Sequence, residues 1–152
     1  MKPRRVAAPY DWAALHRLVA DSFAYMDGRI DPPSSIASLT PAAIAAHAAA
    51  HDVWVIEAGG TPVACLLGQV KGDRYYLGKI AVDAAHRNLG LARRLMEACA
   101  TNATGCAALQ LQTRVELVEN QRAFARLGFV IVAESSHSGY ARPTSVTMER
   151  PI

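Results

Sequence analysis

Between Val53 and Val82 three apolar runs follow one another, separated only by the short turns Gly59-Gly60 and Lys71-Gly72-Asp73. That punctuation commits this stretch to paired strands: Val53 to Ala58, Pro62 to Val70 and Arg74 to Val82. The period before it is helical. Tyr10 to Met26 carries Leu15, Leu18, Val19, Ser22, Phe23 and Met26 at the spacing of one helix face, and Arg4 to Ala8 reads as a short edge strand. Asp27 to Ser35 is rich in turn formers and, with Pro32-Pro33, cannot be regular helix. Thr40-Pro41 reads as an N-cap followed by proline at the first helical position, opening an alanine-rich helix to about His51.

After Val82 a glycine-containing loop, His86 to Ala92, feeds a helix with Leu91, Leu95 and Cys99 on one stripe, and Gly105 ends it. Ala107 to Thr113 alternates as a strand, and Asn120 to Leu127 is a short helix stopped by Gly128. Phe129 to Ala133 and Thr144 to Met148 are two more strands. The predicted order is strand, two helices, three strands, helix, strand, helix, two strands, over one domain spanning 1–152.

At 152 residues such a chain buries about 70% of its unfolded surface and needs no disulfide or structural metal to hold a core. Its 51% hydrophobic content includes 29 alanines, which favour helix but fill little volume, so the core must rest on Leu, Ile, Val and the aromatics. The net charge of +3 suits an anionic small ligand, while the lack of a dense Lys/Arg stripe argues against nucleic acid. No apolar run is long enough to span a membrane, and the basic start leads into no export signal. Three cysteines without C-x-x-C spacing fit reduced thiols, so the expectation is a soluble cytoplasmic protein.

The stretch that carries chemistry is Lys79-Ile-Ala-Val82-Asp-Ala-Ala-His-Arg87-Asn-Leu-Gly90-Leu-Ala92, a strand running through a loop into a helix. Such a junction aims unpaired backbone N–H groups and the positive end of the helix dipole at one spot, where a phosphate can bind without lysine. Gly90 permits close backbone approach, Ala92 leaves the helix start uncrowded, and Arg87 can add a charge-assisted contact. No Gly-Lys-Ser/Thr follows, and the glycine spacing is not that of a dinucleotide fingerprint.

Arg87-Asn-Leu-Gly90-Leu-Ala92 resembles the Gln/Arg-x-x-Gly-x-Gly/Ala signature of the GNAT superfamily of acetyl-CoA-dependent N-acetyltransferases, and Ile80-Ala-Val82-Asp83 precedes it as in many members. Asn120-Gln-Arg-Ala-Phe124-Ala-Arg-Leu-Gly128-Phe129 is similar to the family's second block, and the element order fits nearly the whole chain. The resemblance implies a mixed α/β (α+β) fold. Its central sheet of six to seven strands would be mostly antiparallel, with the fourth and fifth splayed and helices on both faces. It implies acetyl-CoA with its pantetheine arm on Ile80, Ala81 and Val82, and its pyrophosphate on the amides of Arg87, Asn88, Leu89, Gly90, Leu91, Ala92 and Arg93. Asn120 would sit near the pantetheine or the sulfur. The implied reaction is direct transfer to an amine in a ternary complex, with the oxyanion held by a strand-four N–H near Val82 and no use for a cysteine nucleophile.

Two positions depart from the pattern. Where many relatives carry a Tyr that can protonate the departing thiolate, this chain has Phe124, which has no proton to give. Either another group donates, with Tyr140 and His137 of the late loop as the candidates, or the thiolate leaves unassisted, as a thiol with pKa near 8.5 can. Where relatives often carry a Glu on strand four, the chain reads Gly78-Lys79, which leaves a water chain to Glu116, to Glu119 or to bulk solvent as the route for the amine proton.

Several assignments stay open at this level. Tyr25, Asp27 and Arg29 are candidate acceptor contacts, Asp27 for an ammonium and Arg29 for a carboxylate, although a solvated loop explains them as well. Phe124 is core or a wall of the acyl pocket, and Asn120 is a helix N-cap, a cofactor contact or both. His47 and His51 stand one helical turn apart as zinc ligands can, but no third ligand accompanies them and no metal is expected. The expected function is acetyl transfer to a primary amine of a small molecule. A CoA-sensing module without chemistry and a peptide or protein N-acetyltransferase are the alternatives. A homodimer is compatible with such an enzyme.

Overall fold

The computed structural model describes residues 1–152. Seven strands form one sheet: β1 (Arg4–Arg5), β2 (Asp52–Ala58), β3 (Thr61–Lys71), β4 (Arg74–Val82), β5 (Ala108–Arg114), β6 (Val130–Ser135) and β7 (Ser145–Pro151). Four helices join them: α1 (Trp12–Phe23), α2 (Pro41–Ala50), α3 (Leu91–Asn102) and α4 (Val118–Arg126). The spatial order is β1-β2-β3-β4-β5-β7-β6, and every neighbouring pair is antiparallel except β4 with β5. This is the expected mixed, mostly antiparallel sheet. The parallel pair is held by three rungs only, Arg74 with Ala108, Tyr75 with Leu109 and Tyr76 with Gln110, beyond which the two strands separate.

Strand alternation sends successive side chains to opposite faces, and each face has its own helical cover. Val53, Val55, Cys65 and Leu67 pack with Leu15, Leu18 and Val19 of α1 and Ile44 of α2. Trp54, Ile56, Ala64, Leu66, Leu109 and Leu111 pack on the other side with Leu91, Leu95, Met96 and Cys99 of α3, and Phe124 and Leu127 of the α4 region join them. The helices start where the side chains allow: Asp11 Oδ1 accepts from the Ala14 N–H (3.0 Å), and Thr40 Oγ1 from the Ala43 N–H (3.1 Å) beside Pro41.

One irregularity positions the site. Leu67 faces Gly78 and Cys65 faces Ala81, so Lys79 and Ile80 together oppose Leu66, and Lys79 takes the left-handed conformation (φ 51°). This bulge reverses the parity of β4. Tyr75 and Leu77 point to the α3 side before it, whereas Ile80 and Val82 do so after it and Ala81 turns to α1.

The edge strand read over Arg4 to Ala8 is only Arg4–Arg5, and two further features differ from the sequence reading. A 3₁₀ turn over Ser35–Ser38 lies in what reads as plain loop, stabilised by the Ser34 hydroxyl accepting from the Ile36 N–H (3.1 Å). The last helix begins at Val118, not Asn120, so Asn120 lies in its first turn and is not its cap; its N–H donates to Leu117 O at 3.0 Å.

Candidate functional site

Where β4 and β5 part, a cleft of about 1440 Å³ opens, running from the start of α3 to the loop that follows α1. At the α3 end, Gly90 is the N-cap in the left-handed region (φ 75°) and Asn88 is left-handed as well (φ 62°). No Cβ would clash at Gly90, so glycine is required by conformation, not by space. The amides of Arg87 to Arg93 donate to no backbone carbonyl, as expected of a loop that ends in a helix N-terminus. Along the cleft wall, the β4 edge beyond Tyr76 has no strand partner on the β5 side.

Six cationic side chains line this cleft, Arg29, Lys79, Arg87, Arg93, Arg114 and Arg126, against the single carboxylate of Glu119. Arg29 is bonded to that carboxylate (2.5 Å), and its own backbone amide together with Arg29 holds Glu119 below the usual carboxylate range. Burial, with Arg114 as a like charge, lowers the Lys79 ammonium from its ordinary value.

The loop after α1 crosses the far end of the cleft and is tied down along its length. Tyr25 OH accepts from Asn120 Nδ2 (2.8 Å), Asp31 N–H donates to Glu116 Oε2 (3.0 Å), and Tyr140 OH donates to Asp31 Oδ1 (2.6 Å). Arg142 donates to Asp31 O (2.7 Å), Arg114 to the carbonyls of Pro32 (2.7 Å) and Pro33 (3.1 Å), and Lys79 Nζ to Ser35 Oγ (3.1 Å). Desolvation works against the charge on Glu116, but the amides of Asp31 and Glu116 and the nearby Arg142 and Arg114 outweigh it and keep its carboxyl low.

Of the residues singled out from sequence, the cleft is lined by Ile80, Ala81, Val82, Arg87, Asn88, Gly90, Leu91, Ala92, Arg93 and Asn120. Tyr25, Arg29, Phe124 and His137 line it too. Leu89 turns its side chain outward (52% exposed), and Asp27 lines a separate depression of about 310 Å³. Tyr140 stands outside the lining. Phe124 meets Phe129 edge-on at 6.2 Å, packed against the α3-side core and forming part of the wall.

His137 differs from Tyr140 in what it has left over. Its Nδ1 lies 2.5 Å from Thr144 Oγ1, whose only other recipient is Ser135 O at 3.4 Å. Placing the hydroxyl proton on the shorter contact assigns the ring proton to Nε2, which has no protein partner. His47 also lines the cleft, tied through Nε2 to Gly68 O (2.9 Å), and no group of His, Cys, Asp or Glu side chains has metal-site geometry. Burial pushes the thiols of Cys65 and Cys99 up to about 12, so neither is a thiolate at neutral pH.

Sequence reasoning missed Lys79 and Arg114 as cleft groups. The one available signal, a lysine where relatives often carry Glu, gave no hint of the bulge that turns it into the cleft.

Residues 12–129 match the model of the acetyltransferase (GNAT) family. The fold is shared with the ribosomal-protein-S18-alanine N-acetyltransferase of Escherichia coli, at 20% identity over 99% of this chain and 93% of that one (TM-score 0.71). A GNAT-family acetyltransferase from Staphylococcus aureus is similar at 14% identity over 98% of both chains (TM-score 0.73). A protein assigned as a streptothricin acetyltransferase from Bacillus anthracis, solved in complex with acetyl coenzyme A, aligns over 67% of this chain and 62% of its own at 15% identity (TM-score 0.60).

Proposed function

Because the chain belongs to the acetyltransferase (GNAT) family, we propose that it transfers the acetyl group of acetyl-CoA to a primary amine of a small molecule, by direct attack in a ternary complex. The observation that carries this reading is the wedge between β4 and β5, which joins a row of unpartnered amides at one end to a cationic, strapped chamber at the other.

The residues suit the cofactor. Free amides from Arg87 to Arg93 at a helix N-terminus, with the Arg87 and Arg93 side chains of the same segment and Arg126 of α4 elsewhere in the cleft lining, meet the needs of a diphosphate and a further phosphate. The unpaired β4 edge at Ile80, Ala81 and Val82 offers a ladder to an amide-bearing arm. When bound, acetyl-CoA supplies an activated acyl thioester.

The chain's own groups then do three things. The amine proton leaves through water, to Glu119 in the cleft lining or to bulk solvent, without a dedicated base. A strand-four N–H near Val82 faces the developing oxyanion. His137 Nε2–H is a hydrogen-bond donor aimed at the departing thiolate, whose charge it stabilises until solvent protonates it, in the place that Phe124 cannot fill.

The loop over Tyr25 to Ser35, clasped at Glu116, Glu119, Asn120 and Tyr140, narrows the acceptor end and favours a small molecule over a folded protein. Three free cysteines, two of them buried, suit a reducing cytoplasm. The second reading, a CoA-binding module without chemistry, is favoured by Phe124 alone. Free-thiol release from acetyl-CoA across a panel of amines, with calorimetric titration of CoA, tests both. Turnover supports the transferase, thermal stabilisation by acetyl-CoA without turnover of any amine supports the module, and no CoA binding removes both.

A further inference from the structure

Lys79 and Arg114 are two cleft cations whose ammonium and guanidinium contact only neutral acceptors. Lys79 stands three residues beyond the last β4–β5 rung at Tyr76, and Arg114 four beyond its partner Gln110, so they occupy matching levels on the two walls of the wedge. Both reach the same short segment, Arg114 at the carbonyls of Pro32 and Pro33 and Lys79 at the hydroxyl of Ser35. Those acceptors are neutral. Of the acidic groups around them, Glu119 pairs with Arg29 (2.5 Å) and Asp31 with Tyr140 and Arg142, while Glu116 accepts the Asp31 amide, lies 3.8 Å from Arg142 and is near Arg114 without a contact to it, its Oε1 buried and unpartnered.

Burial lowers the Lys79 ammonium first and the like charge of Arg114 adds to it, so holding the two cations together at a partly buried site costs free energy. An oxyanion placed between them removes it. Arg87 and Arg93 stand at the α3 end and suit the phosphates of CoA, whereas Lys79 lies three residues back along β4 from Val82, beside the Pro32–Ser35 segment that it and Arg114 hold. We propose that Lys79 and Arg114 form a binding site for an oxyanion carried by the acceptor, a carboxylate or a phosphate monoester, so that the preferred substrate is an anionic amine. The proposal rests on the transferase reading of this cleft and names its substrate class.

The test compares matched acceptors that differ only in the charge: amino acids against their carboxamides, and phosphoethanolamine against ethanolamine. The expected result is at least a tenfold higher kcat/KM for the charged member of one of these two sets, which also identifies the oxyanion. That preference should fall below threefold in Lys79→Met and Arg114→Met and persist in Arg114→Lys, with the Kd for CoA changed less than twofold in all three. Equal use of charged and neutral members by the wild type, or a preference that survives both methionine variants, overturns it.

Binding supplies a readout without turnover. N-acetylalanine is titrated against N-acetylalaninamide and N-acetylphosphoethanolamine against N-acetylethanolamine, with and without CoA, and the charged member of one pair is expected to bind at least tenfold more tightly only while Lys79 and Arg114 are intact. Failure of CoA to bind refutes the transferase, whereas equal binding of charged and neutral probes refutes the oxyanion site.

Discussion

Tyr140 donates its hydroxyl proton to Asp31 Oδ1 at 2.6 Å, a bond between residues 109 positions apart that fastens the late loop to the loop after α1. Asp31 also receives Arg142 at its carbonyl and gives its N–H to Glu116, so one residue holds three segments together. The Asp31 contact raises the Tyr140 phenol from its ordinary value, which makes it a poorer acid at neutral pH. Tyr140→Phe is therefore expected to raise KM for the acceptor several-fold while leaving kcat and the Kd for CoA within about twofold. A hundredfold loss of kcat would instead identify Tyr140 as the proton donor.

His137→Ala is expected to lower kcat by about tenfold to a hundredfold, the loss of one hydrogen-bond donor to a thiolate that already leaves fairly well. Adding Phe124→Tyr to that variant returns a phenol to the wall of the same cleft and should recover most of the loss. Steady-state thiol release on the single and double variants measures both effects.

Gly90→Ala forces a Cβ into a left-handed backbone at the helix entry, at a cost of roughly 1–2 kcal/mol. Part of that falls on the amide cradle itself. The expected outcome is a lower urea midpoint together with at least a fivefold weaker Kd for CoA by calorimetry, whereas an unchanged Kd would remove the loop from the cofactor site.

Gly68→Ala is expected to be among the most damaging small changes outside the cleft loop. A Cβ there would clash with the ring and hydroxyl of Tyr75, which cannot swing away because it is buried and bonded to Asp52 (2.6 Å) and Trp54 (3.1 Å). Overpacking of this kind costs about 1–3 kcal/mol. Denaturant unfolding reads it directly.

Stability should fall on mild acidification, with His47 as one identifiable cause. Burial lowers its imidazole from the ordinary value near 6.5, so as the pH drops the unfolded chain takes up the proton first. The contribution is complete above about pH 6.5 and is lost below it as the pH approaches the folded-state value. A second loss comes below about pH 4.3 from Glu149, which Arg74 and Gln110 hold below the usual carboxylate range. The His47→Gln variant should show a flatter melting temperature between pH 7 and 5.5 than the wild type, and the Glu149→Gln variant a flatter one below pH 4.5.

Much of this architecture is legible in local chemistry. Thr40-Pro41, Gly59-Gly60 and Lys71-Gly72-Asp73 mark their boundaries by capping and turn rules, and the β4 range of Arg74–Val82 follows from them without adjustment. The amide cradle is legible for the same reason: Gly90 and the residues around it act through backbone that is contiguous in sequence. What stays hidden is built across the chain. Asp31 meets Glu116 and Tyr140 at separations of 85 and 109 residues, and no periodicity reports on such pairs. The bulge at Lys79 is hidden for another reason. Its extra residue is defined only by the register against Leu66, yet it decides which side of the sheet every later β4 side chain occupies. Gly68 gave a usable sign, since glycine within a strand often marks a close approach, but which ring would fill that space is a property of the folded sheet.

The brief seam between β4 and β5 has a mechanical meaning. With rungs only at Arg74, Tyr75 and Tyr76, the upstream leaf of the sheet and the downstream leaf of β5, β7 and β6 hinge at one corner. The Pro32–Ser35 segment and α3 already bridge the two leaves, and on the proposed reading an acyl donor lying in the gap would add main-chain bonds along β4, so that capturing it also stiffens the sheet.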